Sequence, residues 1–361
     1  AFEYISPYII ESVTIDPNNS YAKVGDSVTI TVTEAQRIGG LTSTPAIING
    51  KQISLVDQGD GTYVGIYTVA EGDNDSTNVE ARNIRLLGVN GVSSLAYSSD
   101  SELNIDAHTP SISSVTLTPD SGWLKTGDSV FITVTAENNE TGLIPSNAII
   151  NEKPISLSDQ GNGTYTGVYI VQTTDAQGVN LLAANIYLAD VAGNVTGYTS
   201  SPRSSLKVDT YAPTISSATI NPNAGTISVG DSVAITVTAG DNESGLIVSD
   251  ARINGKFVSL TSQGDGTYTG KYFVEASDEE GINIEASGII LTDAAGNVSE
   301  PSSSTGSTLR VEIPQVLVIA SVTISPNSGY LKIGDQVNIT VTAKDNVTGL
   351  TPSDASINGK A

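Results

Sequence analysis

Apolar and polar residues alternate strictly in four places along the chain: Val28-Ile30-Val32, Val130-Ile132-Val134, Val233-Ile235-Val237 and Val337-Ile339-Val341. A period of two predicts strands with one buried and one wet face. Each run follows a Gly-Asp pair, at Gly25/Asp26, Gly127/Asp128, Gly230/Asp231 and Gly334/Asp335, so the steps are 102, 103 and 104 residues. The same register carries Ile-Asn-Gly or Ile-Asn-Glu at Ile48, Ile150, Ile253 and Ile357, Gly-Asp/Asn-Gly-Thr-Tyr at Gly59, Gly161 and Gly264, and Asp-x-Ala-Gly-Asn-Val at Asp190 and Asp293. The chain is therefore a tandem array.

Asn49-Gly50 and Asn254-Gly255 lie between apolar runs and predict tight hairpins. The tyrosine pairs Tyr63/Tyr67, Tyr165/Tyr169 and Tyr268/Tyr272 are four apart, on one strand face, and are expected to pack in the core or on a sheet face. About seven short strands per ~100 residues, with turns every ~8–12, predict a β-sandwich. The expected fold class is all-β, a tandem array of immunoglobulin-like sandwiches of about 103 residues, with repeats at 1–106, 107–209 and 210–312. Residues 313–361 hold an incomplete fourth repeat, its first three strands only.

Composition narrows the function. Asp and Glu number 39 against 16 Lys and Arg, a net charge of −23, with one His, no Cys and no Met. Such a chain repels phosphate backbones and anionic lipid, so neither nucleic-acid binding nor polybasic membrane binding is expected. Thiol chemistry, disulfides and multi-histidine zinc sites are excluded. The longest apolar run, Val316 to Ala320, is strand-sized, so no membrane insertion is expected in this span. The chain starts at Ala1 and reads as a processed mature chain or an excised fragment.

The linker pattern Asp-x-x-x-Pro, the Gly-Asp-x-Val-x-Ile-x-Val strand, Ile-Asn-Gly, Asp-Gly-Thr-Tyr and Asp-Ala-Ala-Gly-Asn-Val together resemble bacterial immunoglobulin-like repeats of large cell-surface proteins, both adhesin stalks and S-layer proteins. The Asp-Gly-Thr-Tyr-x-x-x-Tyr segment is also similar to filamin-type repeats. The resemblance spans the chain and implies an extracellular, cell-surface location.

In a head-to-tail array of such sandwiches, the linker, the B–C loop and the F–G loop of one domain face the E–F loop of the domain before. Acidic residues gather at those places. At the first junction they are Asp106, Glu137, Asn138 and Asp190, with Asp73 or Asp75 opposite. At the second they are Asp209, Asp241, Asn242, Glu243 and Asp293, with Asp175 opposite. At the third they are Glu312, Asp345 and Asn346, facing Asp278, Glu279 and Glu280. Converging carboxylates repel unless a hard cation sits among them, and calcium accepts ~6–8 oxygens in a flexible shell. The expectation is a calcium ion at each junction, and the resemblance points the same way, since linker and F–G aspartates of related repeats bind calcium. The alternative is a set of solvated acidic loops. The first repeat offers a contrast: its F–G segment is Gly88-Val89-Asn90-Gly91-Val92 and its B–C loop, Ala35 to Gly40, holds Arg37 and no acid. With only Glu3 at its linker position, it is expected to lack a metal site and to be distal or capping.

Other signals fall to structural readings. Gly-Asp-Ser at Gly25, Gly127 and Gly230 looks like a hydrolase nucleophile block, yet each copy precedes a strand and the sole histidine, His108, lies in a linker. Asp73-x-Asp75 through Glu80 has Asn78 where an EF-hand loop needs Gly. Trp123, with Tyr21 and Tyr330 at the same turn, is expected to cover that turn or to make a domain contact rather than to stack on sugar, a glycan ligand being the alternative. No enzyme is expected. The sequence reads as a structural spacer of a surface protein, partnered by neighbouring domains of its array and by other copies of itself. The rivals are a filament subunit joined by strand complementation of the fourth repeat, and a carbohydrate-binding accessory region of a secreted glycan-active enzyme.

Overall fold

The computed structural model describes residues 8–178, 180–314, 317–344, 347–351 and 353–357. The chain forms two compact units, Ala1–Tyr211 and Ala212–Ala361. The first holds two β-sandwiches; the second holds one sandwich and the strands of the fourth repeat.

In the first sandwich, strands A (Ile10–Asp16), B (Ser27–Glu34), E (Thr62–Thr68) and D (Val56–Asp57) form one antiparallel sheet in the order A-B-E-D. Strands G (Tyr97–Ser99), F (Ala81–Ile84), C (Ala46–Ile48) and C′ (Lys51–Ile53) form the facing sheet in that order. A short strand A′ (Asn19–Lys23) runs parallel to the end of G, Glu102–Asp106, with Lys23 opposite Asp106 as the last pair. The second and third sandwiches repeat this plan, with B strands at Ser129–Ala136 and Ser232–Ala239 and parallel A′–G pairs at Ser121–Leu124/Ser205–Val208 and Ala224–Ile227/Thr308–Val311.

Each sandwich has its own core. Val28, Ile30 and Val32 are fully buried, as are Val130, Ile132 and Val134, and Val233, Ile235 and Val237. The alternation thus marks the inward face of strand B. The tyrosine pairs lie inside the same cores. Between each pair a glycine faces Ile or Val and Leu side chains of the C′–D connection: a Cβ on Gly167 would lie 2.7 Å from the Ser156 carbonyl oxygen. The connection can close over strand E only because that residue has no side chain. The Gly-Asp pairs are turns. Gly25, Gly127, Gly230 and Gly334 all have φ above 90°, and the aspartate accepts the backbone N–H three residues earlier, as in Lys125 N to Asp128 Oδ2 at 2.9 Å. The hydroxyls of Ser27 and its counterparts have no histidine beside them among the described residues, since His108, in the linker, is tied to the Asp75 carboxylate.

Among the described residues of the fourth repeat two strands form, Ile319–Ser325 and Asn338–Ala343, paired in the A–B register. Its inward positions are uncovered: Val322 is 56% exposed and Val341 48%, against 6% and 0% for Val13 and Val32 in the first domain.

Candidate functional sites

The acidic residues separate into two kinds once their partners are seen. The first kind is held inside each domain. Asp175, expected to face a junction cation, is instead buried in the second domain, where Lys153 Nζ contacts its Oδ1 and the Tyr169 hydroxyl donates to its Oδ2. Gln172 N donates to the same Oδ2 at 2.9 Å, and Asn151 Nδ2 donates to the Tyr169 oxygen at 3.1 Å. The first domain repeats the cluster with Lys51, Tyr67, Asn49 and Asp73, the lysine at 2.6 Å and the phenol at 2.7 Å. The third repeats it with Lys256, Tyr272, Asn254 and Asp278. Lys51, Tyr67 and the Ala70 N–H hold Asp73 down to about 2. Burial, aided by the Asp73 charge, pushes Tyr67 up to about 12. Burial raises Asp175 and Asp278, but the lysine, the phenol and the backbone N–H outweigh it and both stay below the ordinary carboxylate range. Each cluster ties the C–C′ turn to the E–F loop and leaves its carboxylate already paired with a cation.

The second kind lies at the junction inside the first unit. Asp75 accepts Ala107 N at 2.8 Å and pairs with His108 Nδ1 at 2.9 Å, while Glu71 accepts the Thr109 hydroxyl at 2.6 Å. The E–F loop of the first domain thereby grips the linker. Above it, the B–C segment of the second domain turns through Glu137–Asn139, with Asn138 and Asn139 at φ 53° and 57°. The F–G turn is built by Asp190, whose Oδ1 accepts Asn194 N and whose Oδ2 accepts Asn194 Nδ2, both at 2.9 Å. Asp106, Asp190 and Glu140 feel one another electrostatically. Burial first, then the charges of Asp190 and Asp75, raises Asp106; burial, then Asp190 and Asp106, raises Glu140. Among the described residues no three Asp, Glu or His side chains stand in an assembled metal-holding cluster.

In the third domain the same parts recur. Asp241 lies at φ 50° in the turn Gly240–Asn242, Glu243 N donates to the Gly240 carbonyl at 3.0 Å, and Asp293 accepts Ala295 N, Asn297 N and Asn297 Nδ2 at 2.8–2.9 Å. Asp209 accepts Tyr211 N at 3.1 Å, and Glu312 N donates to Ile227 O at 2.9 Å. Asp345 and Asn346 lie outside the described residues.

The first domain differs at this end as its sequence implies. Tyr8 covers Gly88, where a Cβ would lie 2.5 Å from the ring. Its B–C loop, Ala35 to Gly40, holds no acid, but the last residue of strand B does: Glu34, fully buried, accepts Gln36 N at 2.8 Å and Ile38 N at 2.9 Å, where the other domains have Ala136 and Ala239. Trp123 stands on the outer face of its A′–G pair with Lys207 Nζ 5.2 Å from its ring centroid, so a cation already faces the ring.

The lysine of each Asn-x-Lys was not singled out by sequence reasoning, and Asn194 stands out in the sequence only as the start of an Asn-Val-Thr sequon. Asn49/Lys51, Asn151/Lys153, Asn254/Lys256 and Asn358/Lys360 keep the array period, the signal by which the clusters could have been found.

No protein-family model and no curated protein matches the sequence. Solved structures do. Part of a 1.5-MDa bacterial ice-binding adhesin aligns at 20% identity over 86% of this chain and 99% of its own, with a TM-score of 0.40. The fibronectin(III)-like modules of Clostridium thermocellum CbhA align at 19% over 55% and 93%, TM-score 0.29, and the Escherichia coli adhesin FdeC at 18% over 84% and 96%, TM-score 0.28. At these levels the strand order and register described above carry the fold assignment: a tandem row of immunoglobulin-like β-sandwiches.

Proposed function

We propose that the chain is a non-enzymatic structural spacer of an extracellular surface protein, with its first interdomain linker stiffened by calcium. The observation that carries the spacer reading is the way residues 106–109 are held: Asp75 and Glu71 of the first domain grip them from one side and Asn194 of the second domain from the other. Domains with private cores and a gripped linker extend reach without adding chemistry. The calcium reading is supported by the mutual repulsion of Asp106, Asp190 and Glu140, which a hard cation would relieve. Those carboxylates, with loop carbonyls beside Glu137 and Asn138, are the oxygen donors such an ion would draw on. Titration calorimetry of the full chain with calcium is the test. Uptake that weakens at least ~10-fold in Asp106→Asn or Glu140→Gln supports the reading; no heat on calcium addition overturns it.

A further inference from the structure

The parallel A′–G pair of the first domain ends with Lys23 opposite Asp106. The next rung of that ladder would join Val24 N to the Asp106 carbonyl. A side chain from the second domain stands there instead. Asn194 Oδ1 accepts Val24 N at 2.9 Å and Asn194 Nδ2 donates to Asp106 O at 3.1 Å, so the carboxamide occupies the rung as an inserted peptide group would. Asn194 is 4% exposed. The two hydrogen bonds that Asp190 receives from it fix its orientation, so that the acceptor faces Val24 and the donor faces Asp106. Gly193 supplies the φ of 88° that this turn needs beside the Lys23 stem.

We infer that this F–G turn is a docking surface whose partner is the open end of a parallel A′–G ladder in the preceding domain. Asp190 is the positioning residue and Asn194 the contact. Recognition uses one backbone N–H and one backbone carbonyl, so it reads a strand-pair geometry rather than a side-chain sequence, which suits an array whose linker residues vary. The first domain supplies the ladder end but has Gly88 where the second has Asp190, and so lacks the group that orients the carboxamide. The third domain holds the same turn, with Asn297 bonded to Asp293 in the same way. The inference goes beyond the calcium reading and needs no ion: Asp190, which that reading also uses, acts here through its two hydrogen bonds with Asn194. Asn194-Val195-Thr196 is also a glycosylation sequon, and a sugar there is incompatible with the clip, because Nδ2 is buried and used.

Hydrogen exchange on the full chain tests this, comparing wild type with Asn194→Ala and Asn194→Asp, each with calcium and with chelator. The aspartate variant sets a carboxylate oxygen against Asp106 O and Asp190 Oδ2, where Asn194 has its donor, and that repulsion drives the side chain off the rung. Both variants should raise Val24 amide exchange at least ~5-fold in either condition, as loss of one buried hydrogen bond implies, with Val130–Val134 unchanged. Unaltered Val24 exchange overturns the inference. A rise shared equally by Val130–Val134 overturns it too, by assigning Asn194 to the stability of its own domain. Loss of Val24 protection in wild type on chelation alone, with no further effect of the variants, assigns the contact to the metal and also overturns it.

Discussion

At Asp175 a carboxylate that sequence alone counts as one of the negative charges available to a cation turns out to have its own lysine. The side chain is fully buried, and so is that of Asp278, with Asp73 nearly so. A buried carboxylate is tolerable only when its oxygens are satisfied, here by a lysine, a phenol and a backbone N–H. Removing the cation leaves the charge stranded. Lys153→Met should destabilise the second domain by about 1–3 kcal/mol, the upper range for buried pairs being discounted for the partly exposed lysine; differential scanning calorimetry reads it. The pH dependence has a definite sign. Asp73, Asp175 and Asp278 are depressed in the folded chain, so their stabilisation is complete above the unfolded value near ~4 and is lost as pH falls through the folded value, about 2 for Asp73. Asp106 and Glu140 run the other way. They are raised, so their contribution is full below the unfolded values and fades as pH rises past them. Without calcium, acid unfolding monitored by circular dichroism should therefore begin below pH ~4, while protection at the first linker should weaken as pH rises from ~4 toward 7.

At the scale of strands and turns, much was legible beforehand because it is local. Alternation at period two exposed strand B in all four copies, and Gly-Asp marked its turn. The tyrosine pairs and the glycine between them belong to the same logic: Gly167→Ala should cost about 1–3 kcal/mol, since its Cβ would meet the backbone of Ser156 as well as Ile155 and Leu157. Thermal melting checks this, and an unchanged melting temperature would contradict the close-approach argument. What was hidden is non-local. Lys153 and Asp175 are separated by two strands, the A′–G pairing joins segments about 80 residues apart, and no charge count distinguishes a paired aspartate from an idle one. Glu34 was missed for a different reason: it sits at an inward position of strand B, where the other copies have Ala136 and Ala239 and the apolar alternation gives no sign of a buried acid. The hairpin Ile319–Ser325/Asn338–Ala343 tests the converse, that register alone does not make a core. Its amides should exchange at least ~10-fold faster than those of Val130–Val134, because a two-stranded hairpin without a covered face is marginal in water; equal protection would mean that something covers it.

For the whole molecule, repetition is the organising fact. Three private cores give each sandwich its own interior. The net charge of −23 is distributed accordingly. Part is neutralised within domains by the Asn-x-Lys clusters, and part lies at the first linker, where Asp106, Asp190 and Glu140 still repel. The spacer account requires that this linker hold a fixed angle and that a divalent cation sharpen it. Because the chain has no cysteine, a pair introduced at Gln52 and Ser158, both exposed, one in each of the first two domains, can carry spin labels without background. Pulsed dipolar measurement of their separation is the most direct test. The account predicts one narrow distance distribution with calcium that broadens when the ion is chelated; a distribution of equal width in both conditions would contradict it.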